Sequence, residues 1–152
     1  MRISARADYA IRASAELAAA AGDHAVTAET LARAQEIPHK FLEGILTALR
    51  RDGLVTSQRG AGGGYWLAGP PEDVTLAAII RAVDGPLVFV RGERPSDLTY
   101  DGAASSLLPV WVALRANVRA VLERVTLADL VAGRLPVDLQ QLVDDDASWE
   151  NP

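Results

Sequence analysis

Cysteine is absent from all 152 residues. That absence excludes disulfides, thiolate zinc sites, cysteine nucleophiles and iron-sulfur clusters held by thiolates. Histidine is scarce as well. His24 and His39 are the only two, so no histidine metal site and no cofactor is expected. Long apolar runs are also missing: the longest charge-free stretch, Gly102 to Leu114, is 13 residues and contains Gly and Pro, against the ~20 apolar residues a spanning helix needs. Arg2 and Arg6 precede an alanine-rich segment, but Asp8, Arg12 and Glu16 interrupt it, which argues against a secretory leader. The chain reads as cytoplasmic, with no membrane partner. No serine sits in a Gly-x-Ser-x-Gly turn, and the acid pair Glu72-Asp73 is merely adjacent in a loop, so nothing points to an enzyme.

What is present describes an ordinary globular chain, 49% hydrophobic and 23% charged. Its length suits one compact unit with an appended dimerisation element. The net charge of -5 is unevenly spread: up to Trp66 there are 8 basic against 7 acidic residues, and beyond it 7 against 13. The two parts are thus +1 and -6, and the acidic part leaves the other free to meet phosphates because fields are local and screened beyond roughly 10 Å.

Ser4 caps a first helix expected over 5–21, with Ala7, Ala10, Ile11, Ser14, Leu17, Ala18 and Ala21 as its small-residue face and Gly22 as its stop. Thr27 caps a short second helix to about Ala34. Glu36-Ile37-Pro38 then turns the chain, and Pro38 opens a third helix whose buried stripe is Leu42, Ile45, Leu46 and Leu49, closed by Asp52-Gly53. Two helices across so short a turn, the second amphipathic, form a helix-turn-helix. A hairpin follows, Leu54 to Gln58 and Tyr65 to Ala68, with the glycine-rich tip Gly60-Ala-Gly-Gly-Gly64 in the position of a wing. A further helix is expected over Leu76 to Val83. Leu87 to Ser105 show no periodicity and read as a loop. From Ser106 to Val125 the residues Leu107, Trp111, Leu114, Val118, Val121 and Val125 recur at intervals of four and three, a heptad seam suited to self-association. Short helices over Thr126 to Ala132 and Pro136 to Val143 complete the chain.

The expected architecture is mainly α with a small β-hairpin wing. Its parts are a winged helix-turn-helix over 1–85, a loop over 86–105, a dimerisation helix with C-terminal helices over 106–143, and a flexible acidic tail over 144–152. Opposite the leucines, the third helix carries His39, Lys40, Glu43, Thr47, Arg50 and Arg51. Lys40, Glu43, Thr47 and Arg50 are three and four apart, so one stripe offers donors and acceptors to base edges and cations to phosphates. Gly44 interrupts this helix at about 1 kcal/mol relative to Ala, a cost that close approach of another backbone would explain. In the tip, glycines permit a near approach to a phosphate backbone, and Arg59 suits a narrow minor groove.

These segments resemble the Rrf2 family of bacterial winged-helix regulators. The resemblance rests on Tyr9-Ala-Ile, Ile37-Pro-His-Lys-Phe-Leu-Glu43, Leu49-Arg-Arg-Asp-Gly-Leu-Val55, Arg59-Gly-Ala-Gly-Gly-Gly-Tyr65 and Val74-Thr-Leu through Ala82-Val-Asp-Gly85. It implies that the helix from Pro38 to Arg51 enters the major groove, that Arg59 enters the minor groove, and that the helix after the loop forms a homodimer. The implied DNA-binding set is Arg2, Tyr9, Pro38, His39, Lys40, Phe41, Glu43, Thr47, Arg50, Arg51, Arg59, Gly60, Gly62 and Gly63, and the dimer set is Leu107, Trp111, Leu114, Val118 and Val121. Cluster-binding members place three cysteines in the segment matching Leu87 to Ser106, where this chain has none. The expectation is therefore a cluster-free, sequence-specific repressor binding a two-fold symmetric site on double-stranded DNA. The other reading is a winged helix used only for protein contact. A small-molecule or protein effector would enter through the loop at Phe89, Arg91, Arg94 and Tyr100.

Overall fold

The computed structural model describes residues 1–20 and 22–151. Ala21, expected in the last turn of the first helix, lies outside the described residues, as does Pro152 of the tail.

Helix α1 runs Ala5–Ala19, with Ser4 Oγ accepting the Ala7 N–H at 2.9 Å. Ala7, Ala10, Ala13, Ser14, Leu17 and Ala18 are buried along it. Side chains this small let neighbouring backbones come close, so α1 forms the spine against which α2 (Ala28–Gln35), α3 (His39–Arg51) and α4 (Leu76–Asp84) pack. The α2–α3 turn is made by Glu36, in the left-handed region at φ 52°, and closed by Ile37 N–H donating to the Ala32 carbonyl at 2.9 Å. Pro38 caps α3 from outside it, one residue short of the expected first helical position. Leu42, Ile45, Leu46 and Leu49 are each at most 1% exposed, and burial of this kind contributes about 1.5–3 kcal/mol per side chain.

The wing is the antiparallel pair β1 (Val55–Gln58) and β2 (Gly64–Leu67), in register Val55 with Leu67 through Gln58 with Gly64. Its outer strand is not free. Val26 and Tyr65 exchange both backbone hydrogen bonds, at 3.0 and 2.8 Å, so the segment before α2 pins β2 to the helices. A Cβ at Gly64 would stand 2.7 Å from the Val26 carbonyl oxygen, and only glycine fits there.

Residues 86–105 are a structured connection. Val88, Pro95 and Leu98 are buried, short 3-10 turns occupy Pro95–Asp97 and Gly102–Ala104, and Val90 pairs with Glu93. Helix α5 (Leu107–Leu122) has no buried residue. α6 (Leu127–Ala132), set by a capping box between Thr126 and Asp129, returns to the first unit: Leu127 is fully buried in the same core as Ala7 and Ile79. Leu76 N–H to the Val125 carbonyl and Leu127 N–H to the Val74 carbonyl, 3.0 and 2.9 Å, tie it to the start of α4. Periodicity placed α6 with the dimer helix, because six residues are too few to show which body their one large apolar side chain fills. α7 (Val137–Val143) leads to a last 3-10 turn, Asp146–Trp149, where Trp149 Nε1 donates to the Val143 carbonyl at 2.7 Å. No described helix is long and apolar enough to cross a membrane.

Candidate nucleic-acid interface

The exposed side of α3 begins with His39, Lys40, Phe41 and Glu43 and continues through Gly44, Thr47 and Arg50. Thr47 Oγ1 donates back to the Glu43 carbonyl at 2.9 Å, which steadies its rotamer. His39 Nδ1 lies 3.6 Å from Glu43 Oε1 across one turn. Apart from its own turn of helix, no described residue comes within 4 Å of a Cβ built at Gly44, which therefore faces open space. Arg6 of α1 reaches the Gly44 carbonyl at 3.5 Å, the limit of a hydrogen bond, and thereby adds a cation beside the middle of the stripe. Sequence spacing did not single it out, since it comes from another helix.

The N-terminus of α3 is held by aromatic stacking. The Phe41 and Tyr9 ring centroids are 6.0 Å apart, with Lys40 Nζ 5.3 Å from the Phe41 centroid and the Arg12 guanidinium 5.0 Å from that of Tyr9. Arg12 also donates to the Gln35 carbonyl at 2.7 Å, and its Nε sits 2.9 Å from Asp8 Oδ2, an ion contact without hydrogen-bond alignment. The column therefore joins α1, the end of α2 and the start of α3. Tyr9 and Phe41 thus link the start of α3 to α1.

At the other end of α3, Arg50 Nη1 donates to Ser57 Oγ of β1 at 3.1 Å, linking helix and wing. Arg51 turns the other way, with Nη2 3.4 Å from the Ala82 carbonyl of α4 and Nε 3.5 Å from Asp52. The wing tip spans 59–63. Gly60 and Gly62 adopt φ of 94° and 75°, and a Cβ at Gly63 would lie 2.3 Å from the Gln58 carbonyl oxygen, so the tip keeps its shape only with glycine. Arg59 is exposed and has no ion pair or side-chain hydrogen bond with the described residues. Arg2 is likewise exposed at the N-terminus.

The seam residues divide on α5. Leu107, Trp111 and Val118 are half-buried against their own chain, with Trp111 Nε1 donating to Tyr100 Oη at 3.0 Å. Leu114 and Val121 are exposed, and with Val110 and Asn117 they form an outward line at intervals of four, three and four. In the loop, Arg91, at φ 55°, stands 5.9 Å from the Tyr100 ring centroid. Phe89 lines an apolar groove shared with Met1, Trp111 and Leu114, and Arg94 faces a separate cleft toward α4.

The profile of the Rrf2 family, described as an iron-dependent transcriptional regulator, matches residues 3–133. A Mycobacterium tuberculosis protein assigned as an HTH-type transcriptional regulator is 49% identical over 151 residues, spanning 99% of this chain and 94% of that one. Among solved structures, CymR, the global cysteine regulator of Bacillus subtilis, superposes with a TM-score of 0.75 at 30% identity over 89% of this chain and 99% of its own. IscR of T. potens gives 0.69 at 28% identity, over 100% and 94%.

The residues present do not fit the iron that the family's description implies. There is no thiolate, His24 and His39 are exposed on separate elements, and among the described residues no three His, Cys, Asp or Glu side chains converge to hold a metal ion. Glu93, Asp97 and Asp101 are the only acidic side chains of the loop, hard oxygen donors unlike the soft ligands of an iron-sulfur cluster.

Proposed function

The chain belongs to the Rrf2 family of winged-helix, DNA-binding transcription regulators, and from that premise we propose that it acts as a homodimeric, sequence-specific repressor that reads a two-fold symmetric site without an iron-sulfur cluster. The observation that carries this reading is the joined pair of α3 and wing: an exposed polar stripe, hydrogen-bonded through Arg50 and Ser57 to a hairpin whose tip carries an exposed arginine with no ion pair to the described residues. Lys40, Glu43 and Thr47 are positioned for base edges in a major groove, and Arg59 for the flanking minor groove and its phosphates. Gly44 leaves room for the groove wall.

Dimerisation is supported by α5. No residue of this 16-residue helix is buried within the chain, and its outward line carries the exposed apolar residues Val110, Leu114 and Val121 around one polar position, Asn117. A second copy packing on this line completes the seam begun by Leu107, Trp111 and Val118. Repression follows if the bound dimer overlaps a promoter. Recovery of genomic fragments on the purified protein, followed by footprinting, tests the reading: a repeated half-site about one helical turn apart is expected. Binding with no sequence preference, or no DNA binding at all, would leave only the protein-contact use of the fold.

A further inference from the structure

Between the DNA-binding unit and α5 lies an open cleft of about 390 Å³. Arg81 of α4, Arg94 of the loop, and Arg115 and Arg119 one turn apart on α5 line it, with Pro86 and Val88 as apolar lining. After Trp66 the chain has 7 basic residues against 13 acidic ones, and four of those seven converge here. Their hydrogen-bonded carboxylate among the described residues is Glu123, which accepts from Arg119 Nε at 2.9 Å and from Arg81. Arg94 and Arg115 have no ion pair with the described residues. So dense a positive site in an acidic chain is a local field for anions, and guanidinium forks match carboxylate and phosphate geometry.

We propose that this cleft binds a small polyanion, a metabolite bearing two or more carboxylate or phosphate groups, and that Glu123 stands in for one of those groups in the unliganded protein. Arg94 and Arg115 take the first anionic group, and the second displaces Glu123 from Arg119 and Arg81. The apolar lining accommodates a short carbon skeleton between them. The Glu123 contact adds a side-chain link between α4 and the end of α5, so its replacement changes the hold of that helix on the DNA-binding unit. Arg81 precedes Ala82, whose carbonyl receives Arg51 from the end of α3, and the link therefore runs from cleft to recognition helix. Because half-sites must match faces roughly 34 Å apart, a small change at α5 alters operator affinity. Anion binding does not depend on the regulator reading; only its coupling to DNA does.

Calorimetric titration of the full chain with pyrophosphate and with citrate, against chloride and acetate at matched ionic strength, tests the proposal. One saturable site per chain is expected for the polyanions and none for the monoanions, and the tighter of the two probes identifies phosphate or carboxylate as the preferred group. Arg94→Ala and Arg115→Ala should each weaken binding about tenfold, while Glu123→Gln, which removes the competing carboxylate, should tighten it, with thermal melts confirming that each variant is folded. Absence of saturable polyanion binding, or binding unchanged in the doubly substituted protein, overturns the proposal. If Arg94→Ala and Arg115→Ala lower DNA affinity with no anion present, the cleft is part of the DNA footprint; if they yield monomers, it is part of the subunit interface, and either result overturns it too. Polyanion binding that leaves operator affinity unchanged retains the site and overturns the coupling.

Discussion

Arg59→Ala is the sharpest probe of how the wing contributes. The side chain is exposed and has no ion pair with the described residues, so its loss should change folding stability by less than about 0.5 kcal/mol. In a DNA complex each charge-assisted hydrogen bond is worth about 1.5 kcal/mol at the lower end. A dimer loses one from each wing, about 3 kcal/mol, or roughly a 150-fold weaker dissociation constant. Each phosphate neutralised adds about 0.9 to the slope of log affinity against log salt, so that slope should become shallower by about 1.8 per dimer. Fluorescence anisotropy on operator and scrambled duplexes, over roughly 50 to 200 mM salt, measures both quantities. The loss should appear on both duplexes. Lys40→Ala, by contrast, should cost about 1 to 3 kcal/mol chiefly on the operator. An unchanged salt slope for Arg59→Ala, or equal losses on both duplexes for Lys40→Ala, would refute the assignment of wing to backbone and helix to bases.

Three further outcomes are expected. Val110→Glu with Leu114→Glu should give monomers in sedimentation, with operator binding sharply reduced and a lower melting temperature that no longer depends on protein concentration; a persistent dimer removes α5 as the interface. Leu127→Ala, at a fully buried site, should lower stability by about 2–5 kcal/mol in denaturant melts, and a cost below 1 kcal/mol would show that α6 does not belong to the first core. The hydrogen bonds from Arg119 and then Arg81 pull the Glu123 carboxyl down from about 4.5 to about 2. Being depressed in the folded state, its contribution is complete above pH 4.5 and disappears as pH falls toward 2; a carboxyl-carbon NMR titration near 4.5 would contradict this.

Local patterns in the sequence carried much of this architecture. Ser4, Thr27 and Thr75 cap their helices through side-chain oxygens as their residue types imply, and the apolar stripe of α3 is fully buried. The hairpin was legible from its glycines. What periodicity could not show are contacts between distant segments. Tyr9 against Phe41, Val26 against Tyr65, and Arg81 against Glu123 each join residues whose separation in sequence has no period. The loop was legible only as irregular, because Val88, Pro95 and Leu98 are buried by tertiary packing with no repeat to announce it. On α5 the heptad identified an apolar helix, but not that Leu107, Trp111 and Val118 are half-buried, with Trp111 bonded to Tyr100 of the loop.

The return of Leu127 to the core has a consequence for how the molecule can move. The excursion from Gly85 to Val125 leaves at the C-terminal end of α4 and re-enters beside its N-terminal end, where Thr75 pairs with Thr126. Helix α5 is therefore attached through both of its flanking segments, as an inserted cassette, and does not trail on a tether. A protein cut before α5 would lack Leu127 and expose the cavity it fills, so the winged helix is not separable as an N-terminal fragment. Conversely, replacing residues 86–125 by a flexible linker long enough to run back along α4, about 12 Å, should preserve that core and, if α5 is the interface, yield a monomeric unit.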